Sequence, residues 1–201
     1  MHFNTILKHT IAWKMINTVL VFLINLLLVR LLGVAASGSF FYAITELSLL
    51  VLLLSWCLES GITYFASKDD HLISTILFFI LPLLLVQGAI AFVVLKSMQL
   101  TISYQLALLF IVSSLAIIYF SAFFYAKKWF IALNIIICGV NFITALGLLF
   151  LWYRNEESTS ETEVYQLVYI VGISLLAAIL VASIIGSTKK IAPPATAVLP
   201  V

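Results

Sequence analysis

The stretch of sequence that decides the fold covers residues 17–54 and reads NTVLVFLINLLLVRLLGVAASGSFFYAITELSLLVLLL. It holds two apolar runs, and a short segment rich in glycine, alanine and serine separates them at residues 33–38. Each run approaches the roughly 20 residues that a helix needs to cross about 30 Å of hydrocarbon. The stretch therefore predicts two membrane-spanning helices joined by a tight turn.

Apolar runs of this length recur along the whole chain, at residues 11–32, 39–58, 72–95, 102–125, 129–152 and 164–185. Hydrophobic residues make up 64% of the chain and charged residues 9%, against roughly 45–50% and 25% in ordinary globular proteins. Because short connections make sequential helices antiparallel neighbours, we predict an all-α integral membrane fold, a six-transmembrane-helix up-down bundle over residues 1–188. The proline-rich residues beyond it predict a flexible cytoplasmic tail at 189–201.

The placement of lysine and arginine predicts the orientation of the bundle. If the N-terminus lies in the cytoplasm, seven of these residues fall on the inner side and three on the outer side. The inner set is Lys8, Lys14, Lys68, Lys127, Lys128, Lys189 and Lys190, and the outer set is Arg30, Lys96 and Arg154. The positive-inside rule then favours a bundle with both termini in the cytoplasm.

Composition and motifs argue against several function classes. The net charge of +2 is scattered along the chain, whereas nucleic-acid binding needs a basic patch or stripe. No HExxH, Walker or GxSxG motif is present, and the only aspartates are the adjacent pair Asp69 and Asp70. We therefore expect no enzyme, no cofactor and no metal site. Cys57 and Cys138 fall in different spans, and we expect two small buried apolar residues rather than a disulfide.

Two polar residues in the second run are expensive to place in lipid. Glu46 lies inside this run, and Tyr42 precedes it by one helical turn. A carboxylate there should face the bundle interior unless it is protonated, paired or hydrated. Glu46 is the candidate for coupling to a proton or cation, and Tyr42 is a candidate cavity residue. The alternative is a neutral Glu46 that bonds to a neighbouring helix, or one that reaches the outer interface.

Further polar side chains predict where a cavity could lie. Asn17 and Asn25 occupy the first run, and Asn134 and Asn141 share one face of the fifth. They either line a cavity or hold helices together, since asparagines hydrogen-bond across membrane interfaces. Arg30 ends the first run, where it either reaches the headgroups or binds a substrate oxyanion.

The end of the second run and the middle of the third run also carry predictions. Glu59 is expected at the inner interface, at the end of the second run. Pro82 in the third run, followed by Gln87 and Gly88, predicts a kink.

The segments VRLLGVAASGSFF at residues 29–41 and LESGITYFASK at 58–68 resemble polysaccharide flippases of the multidrug/oligosaccharidyl-lipid/polysaccharide exporter superfamily. Such proteins commonly carry R-x-L-G followed by G-x-F/Y at the junction of their first two helices. They also carry a glycine followed by an aromatic and small residues at the end of the second helix. The residue-level similarity is concentrated in these two segments, while the hydropathy pattern is similar over all six runs.

This resemblance implies translocation of lipid-linked oligosaccharide or polysaccharide precursors across the bacterial inner membrane, driven by a proton or sodium gradient. The family builds two lobes of six helices around a cavity, and this sequence matches the N-terminal lobe. A truncated or half-length transporter is therefore expected, with membrane lipids, a lipid-linked oligosaccharide and a second six-helix lobe or a homodimer partner as its partners. Two alternatives are a small homodimeric secondary transporter of metabolites or drugs and a non-transporting membrane assembly subunit.

Overall fold

The computed structural model describes residues 3–98, 100–154 and 162–191, with side chains over 8–69, 72–98, 100–154 and 163–187. In this part of the chain every regular element is an α-helix. The helices are α1 (Phe3–Ser55), α2 (Leu58–Lys68), α3 (Asp70–Ser97), α4 (Tyr104–Ala126), α5 (Phe130–Arg154) and α6 (Thr162–Ile191). The predicted all-α bundle is confirmed. Helix α6 continues past the expected start of the tail at residue 189, and residues 192–201 lie outside the described residues.

The helices have the length and composition of membrane spans. Five described segments qualify, namely Lys8–Ser55, Leu72–Ser97, Tyr104–Ala126, Phe130–Arg154 and Glu163–Ser187. Large apolar side chains are exposed around the outside of the bundle, which suits hydrocarbon and not water. The chain is therefore a multi-pass membrane protein.

The first of these segments is too long for one crossing. Its 48 residues would extend about 72 Å as a straight helix, more than twice the roughly 30 Å of a hydrocarbon core. The helix is interrupted at Gly33, whose φ of 76° and ψ of 166° are not helical. We call residues 3–32 the first arm of α1 and residues 34–55 the second arm. The predicted connection at 33–38 thus shrinks to one glycine, because residues 34–38 are already helical.

The first arm of α1 runs parallel to α5. At the middle of the first arm, Asn141 Nδ2 donates to Asn17 Oδ1 at 2.7 Å. Near its end, the Arg30 guanidinium lies 4.8 Å from the centre of the Trp152 ring. The first arm and α5 therefore run in the same direction, and Arg30 lies level with the end of α5.

The second arm of α1 turns back toward the starting side. The Phe40 ring lies 5.6 Å from the ring of Tyr169 on α6. The neighbouring Val168 packs against Gly147 of α5, more than one turn below Trp152. A straight continuation would have carried Phe40 about 15 Å beyond Arg30. The chain therefore reverses at Gly33, and the two arms are antiparallel spans, as the sequence predicts.

Helix α4 lies at the centre of the bundle and contacts all five other helices. Large side chains on it are fully buried, including Ile111, Leu115, Tyr119, Phe120, Phe123 and Phe124. Helix α3 is the more peripheral element, with Phe78, Leu85 and Val93 exposed on its outer side. The core is therefore built around the fourth span rather than distributed evenly.

The connection between α4 and α5 is as short as predicted. Lys128 has a left-handed φ of 58°, and Trp129 N donates to Phe124 O at 2.9 Å. These bonds satisfy carbonyl groups left open at the end of α4. Helix α3, by contrast, continues through Pro82 to Ser97. The second break in the helices lies at the end of α1, between Ser55 and Leu58.

Candidate functional site

The second arm of α1 ends at Ser55, and a break of two residues separates it from α2. Trp56 and Cys57 have left-handed φ values of 47° and 54°, and α2 begins at Leu58. Non-glycine residues in this conformation cost of order 1–3 kcal/mol each, so surrounding contacts must hold them there. Cys57 is exposed, contrary to the expectation that both cysteines are buried, while Cys138 is buried. The break leaves carbonyl groups of the last turn without helical partners.

Two buried side chains bind the open carbonyl groups. Gln87 Nε2 of α3 donates to Leu54 O at 2.7 Å and to Tyr119 Oη at 2.7 Å. Tyr119 Oη of α4 in turn donates to Ser55 O at 3.3 Å. Gln87 and Tyr119 are both 0% exposed. We call Leu54, Ser55, Glu59, Gln87 and Tyr119 the break cluster.

The hydrogen bonds of the break cluster fix which way the Gln87 amide points. An amide oxygen placed against Leu54 O would set two acceptors together, so the nitrogen must occupy that position. Gln87 Oε1 then points elsewhere and has no hydrogen-bond partner. Glu59 Oε2, in the first turn of α2, is also buried without a partner, and its charge is within electrostatic range of Tyr119. The cluster therefore contains two buried acceptors and no donor for them.

The sequence predicted only some residues of the break cluster, and not their contacts. Glu59 was expected at an interface, Gln87 was noted beside a predicted kink, and Tyr119 carried no prediction. The usable signal was Gln87 itself, because an amide that follows Leu83, Leu84 and Leu85 is expensive in lipid and indicates a buried partner. The partners were not predictable, since they are main-chain groups released by a break that no proline or glycine marks.

Two of the four predicted asparagines lie together. Asn17 and Asn141 are joined by the bond described above, and one turn away Cys138 Sγ lies 3.5 Å from Trp13 O. These contacts form a polar seam between the first arm and α5. Asn25 and Asn134 are half-buried and stand apart from this seam. The Asn17–Asn141 pair is thus a helix–helix contact of the kind that the sequence left open.

A double-mutant cycle measures what this pair contributes. Asn17→Ala and Asn141→Ala are expected to show a coupling energy of about 0.6–1.7 kcal/mol, the range of interhelical hydrogen bonds in membranes. The measurement is reversible unfolding in mixed detergent micelles. The matched control is Asn25→Ala with Asn134→Ala, which should be additive because no contact joins them. Additivity at Asn17 and Asn141 as well would show that the bond does not hold the helices together.

Tyr42 and Glu46 lie on an outer face of the bundle. The Tyr42 side chain is 66% exposed, Glu46 is half-buried, and the two residues lie one helical turn apart on the second arm. Glu46 was expected to face the interior of the bundle, and it lies at the edge of the buried side of the second arm, which carries Ala43 and Leu47. Arg30 is exposed at the outer end of the first arm, over the Trp152 ring. The two charged candidate residues, Glu46 and Arg30, therefore lie toward the outside of the bundle.

The described residues contain no group of three or more histidine, cysteine, aspartate or glutamate side chains able to hold a metal ion. Comparison with family models, curated proteins and solved structures finds no match for this chain. Its class is therefore given by the structure alone, as a multi-pass helical membrane protein. The candidate sites are the break cluster inside the bundle and the Tyr42–Glu46 pair outside it.

Proposed function

We propose that the chain forms one lobe of a transporter that flips lipid-linked oligosaccharide or polysaccharide precursors across the bacterial inner membrane. The observation that carries this proposal is a polar face on a membrane-spanning arm. Exposed and half-buried positions between residues 39 and 48 of the second arm bear hydroxyl and carboxylate groups. These residues are Ser39, Tyr42, Thr45, Glu46 and Ser48.

Contact between this polar face and lipid would be energetically unfavourable. Three of its hydroxyl groups bond to their own helix, since Ser39 donates to Ala36 O, Thr45 to Phe41 O and Ser48 to Ile44 O. Glu46 has no such solution, and an acidic side chain at the centre of a span costs about 2.5–3.5 kcal/mol in translocon measurements. A hydrated cavity on this side removes that cost. The face is therefore assigned to the wall of an aqueous path.

The chemistry of the face suits a sugar head group. Tyr42 offers an aromatic surface and a hydroxyl group, and the Glu46 carboxylate accepts hydrogen bonds from sugar hydroxyls. At the outer end, Arg30 presents a guanidinium group, which binds phosphate oxygens in a bidentate manner. In this proposal the lipid tail stays in the bilayer while the head group crosses along the polar face. A proton or sodium ion exchanged at Glu46 would couple the crossing to a gradient.

A cavity on this side needs a second wall, because the polar face lies outside the helical bundle. A second six-helix lobe would supply the wall in a flippase. A second copy of this chain would supply it in a small homodimeric transporter of metabolites or drugs, and the same polar residues favour that alternative. The substrate assay below separates the two, since only the first requires a lipid-linked sugar.

The test is the Glu46→Gln variant in proteoliposomes that carry a fluorescent lipid-linked oligosaccharide. Flipping is read as protection of the fluorophore from a reductant that does not cross the membrane. Glu46→Gln is expected to abolish gradient-driven flipping while insertion is unchanged, because the amide neither exchanges a proton nor pairs with an ion. Glu163→Gln, an exposed glutamate in the first turn of α6, is the matched control and should flip normally.

Two outcomes contradict the proposal. Unchanged flipping in Glu46→Gln removes this carboxylate from the mechanism. No flipping by the unmodified protein, with or without a gradient, favours the non-transporting assembly subunit instead.

A further inference from the structure

We propose that the break cluster binds a monovalent cation, held by the Glu59 carboxylate and the Gln87 amide oxygen beside the open end of α1. This site is separate from the Tyr42–Glu46 face and does not depend on the flippase proposal. It follows from which oxygen atoms are left without partners, from the charge of the cluster and from the nature of its ligands.

The break cluster contains oxygen atoms that are open to a further partner. Gln87 Oε1 and Glu59 Oε2 are buried and have no hydrogen-bond partner. Leu54 O and Ser55 O each accept one hydrogen bond and keep a second lone pair. Broken membrane helices use carbonyl groups released in this way to coordinate cations. All of these groups are acceptors, so a cation is the kind of ligand that suits them.

The charge of the cluster favours a cation over a neutral ligand. Glu59 occupies the first turn of α2 and is the acidic side chain of the break cluster. The end of the second arm contributes carbonyl groups with partial negative charge. Glu59 Oε2 has neither a hydrogen bond nor a salt bridge in the part of the chain that the structure describes. A water molecule would fill the space but would leave this buried negative charge uncompensated.

The ligand set indicates a monovalent ion. One carboxylate together with neutral amide and carbonyl oxygens balances a single positive charge. The described residues hold no larger group of acidic, histidine or cysteine side chains for a divalent or transition metal. Glu59 is only partly buried, so an ion has a route to the cluster. Sodium and potassium are the probes that test this assignment.

The experiment is thermal unfolding of the purified full chain in detergent, in sodium, potassium or choline chloride at equal ionic strength. Choline is too large for the cluster and serves as the reference cation. A bound ion stabilises the folded state in proportion to its occupancy. At a concentration a hundredfold above its Kd, sodium or potassium is expected to raise Tm by about 5–10 °C relative to choline.

The Glu59→Gln variant locates the site, because it keeps the shape of the side chain and removes its charge. This variant should lose the difference in Tm between the alkali and choline salts. Glu163→Gln is the matched control and should retain the difference, since Glu163 is exposed in the first turn of α6 and lies outside the break cluster. If Glu59→Gln does not fold, Gln87→Met is used instead. It should also lose the difference, because it removes the amide oxygen that would bind the ion.

Several results would overturn the assignment. Equal Tm values of the unmodified protein in all three salts would show that water or a proton satisfies the cluster. A sodium effect that survives Glu59→Gln would place the ion elsewhere, and a larger shift with calcium than with sodium would contradict a monovalent site. Loss of the salt effect with normal flipping would overturn this inference alone, while a normal salt effect without flipping would overturn only the proposed function.

Discussion

Gly33→Ala is expected to destabilise the protein by about 1–3 kcal/mol, although the side chain it adds is a single methyl group. At φ 76° and ψ 166°, Gly33 lies in a backbone region that is essentially restricted to glycine. No neighbouring atom lies within 4 Å of the position of an added Cβ. The whole effect therefore comes from the backbone, and any larger side chain at this position should show it too.

The measurement is the free energy of unfolding in mixed micelles of a mild and a denaturing detergent. Gly38→Ala is the matched control, since this glycine is helical and an added Cβ also meets open space. Alanine is the better helix former, so Gly38→Ala should be neutral or stabilising by up to about 1 kcal/mol. Equal effects at both glycines would show that the chain does not reverse at Gly33.

Gly172→Ala is expected to destabilise the packing of α6 on α5 by about 1–3 kcal/mol. A Cβ at this position would collide with Thr144 Oγ1 and lie 3.1 Å from Thr144 Cγ2. Thr144 is buried, and its hydroxyl group donates to Val140 O at 3.0 Å, which holds its rotamer. The threonine therefore cannot rotate away without losing a hydrogen bond inside the bundle.

Second-site variants separate a collision from a general helix effect. Thr144→Ala should restore most of the stability lost in Gly172→Ala, because it removes the atoms that collide. Thr144→Ser keeps the hydroxyl oxygen nearest to the new Cβ and should restore little. Gly139→Ala on α5 meets open space and serves as the control. Equal loss of stability in Gly172→Ala with and without Thr144 would contradict the collision.

The spans were predictable from the sequence because length and apolarity alone define them. Gly33 was correctly placed at a turn, yet the glycines and serines around it suggested a longer connection than one residue. Residues 34–38 are helical in the structure, and the Ser37 and Ser39 hydroxyl groups donate to carbonyl groups one turn back. Small polar residues are compatible with both states, so composition could not decide between them.

The candidate sites were less predictable because they depend on which face of a span is covered. Glu46 is costly in lipid wherever it points. The sequence could not distinguish a position inside the bundle from a position on a face that a second lobe would cover. The break at Trp56 and Cys57 carries no glycine or proline signal, since contacts from α3 and α4 hold it in place. A local sequence pattern does not predict features that depend on residues distant in the sequence.

The break at the end of α1 also constrains how the protein is made. Domains assemble from the N-terminus as synthesis proceeds, so both arms of α1 exist before the later helices. The donors to Leu54 O and Ser55 O are Gln87 and Tyr119, which lie 33 and 64 residues further along the chain and are therefore synthesised later. Until α3 and α4 arrive, the helical hairpin has unsatisfied carbonyl groups, which the bilayer core does not tolerate. The end of the second arm is therefore expected to stay at the water interface or in the translocon, and to settle only when the fourth span joins the bundle.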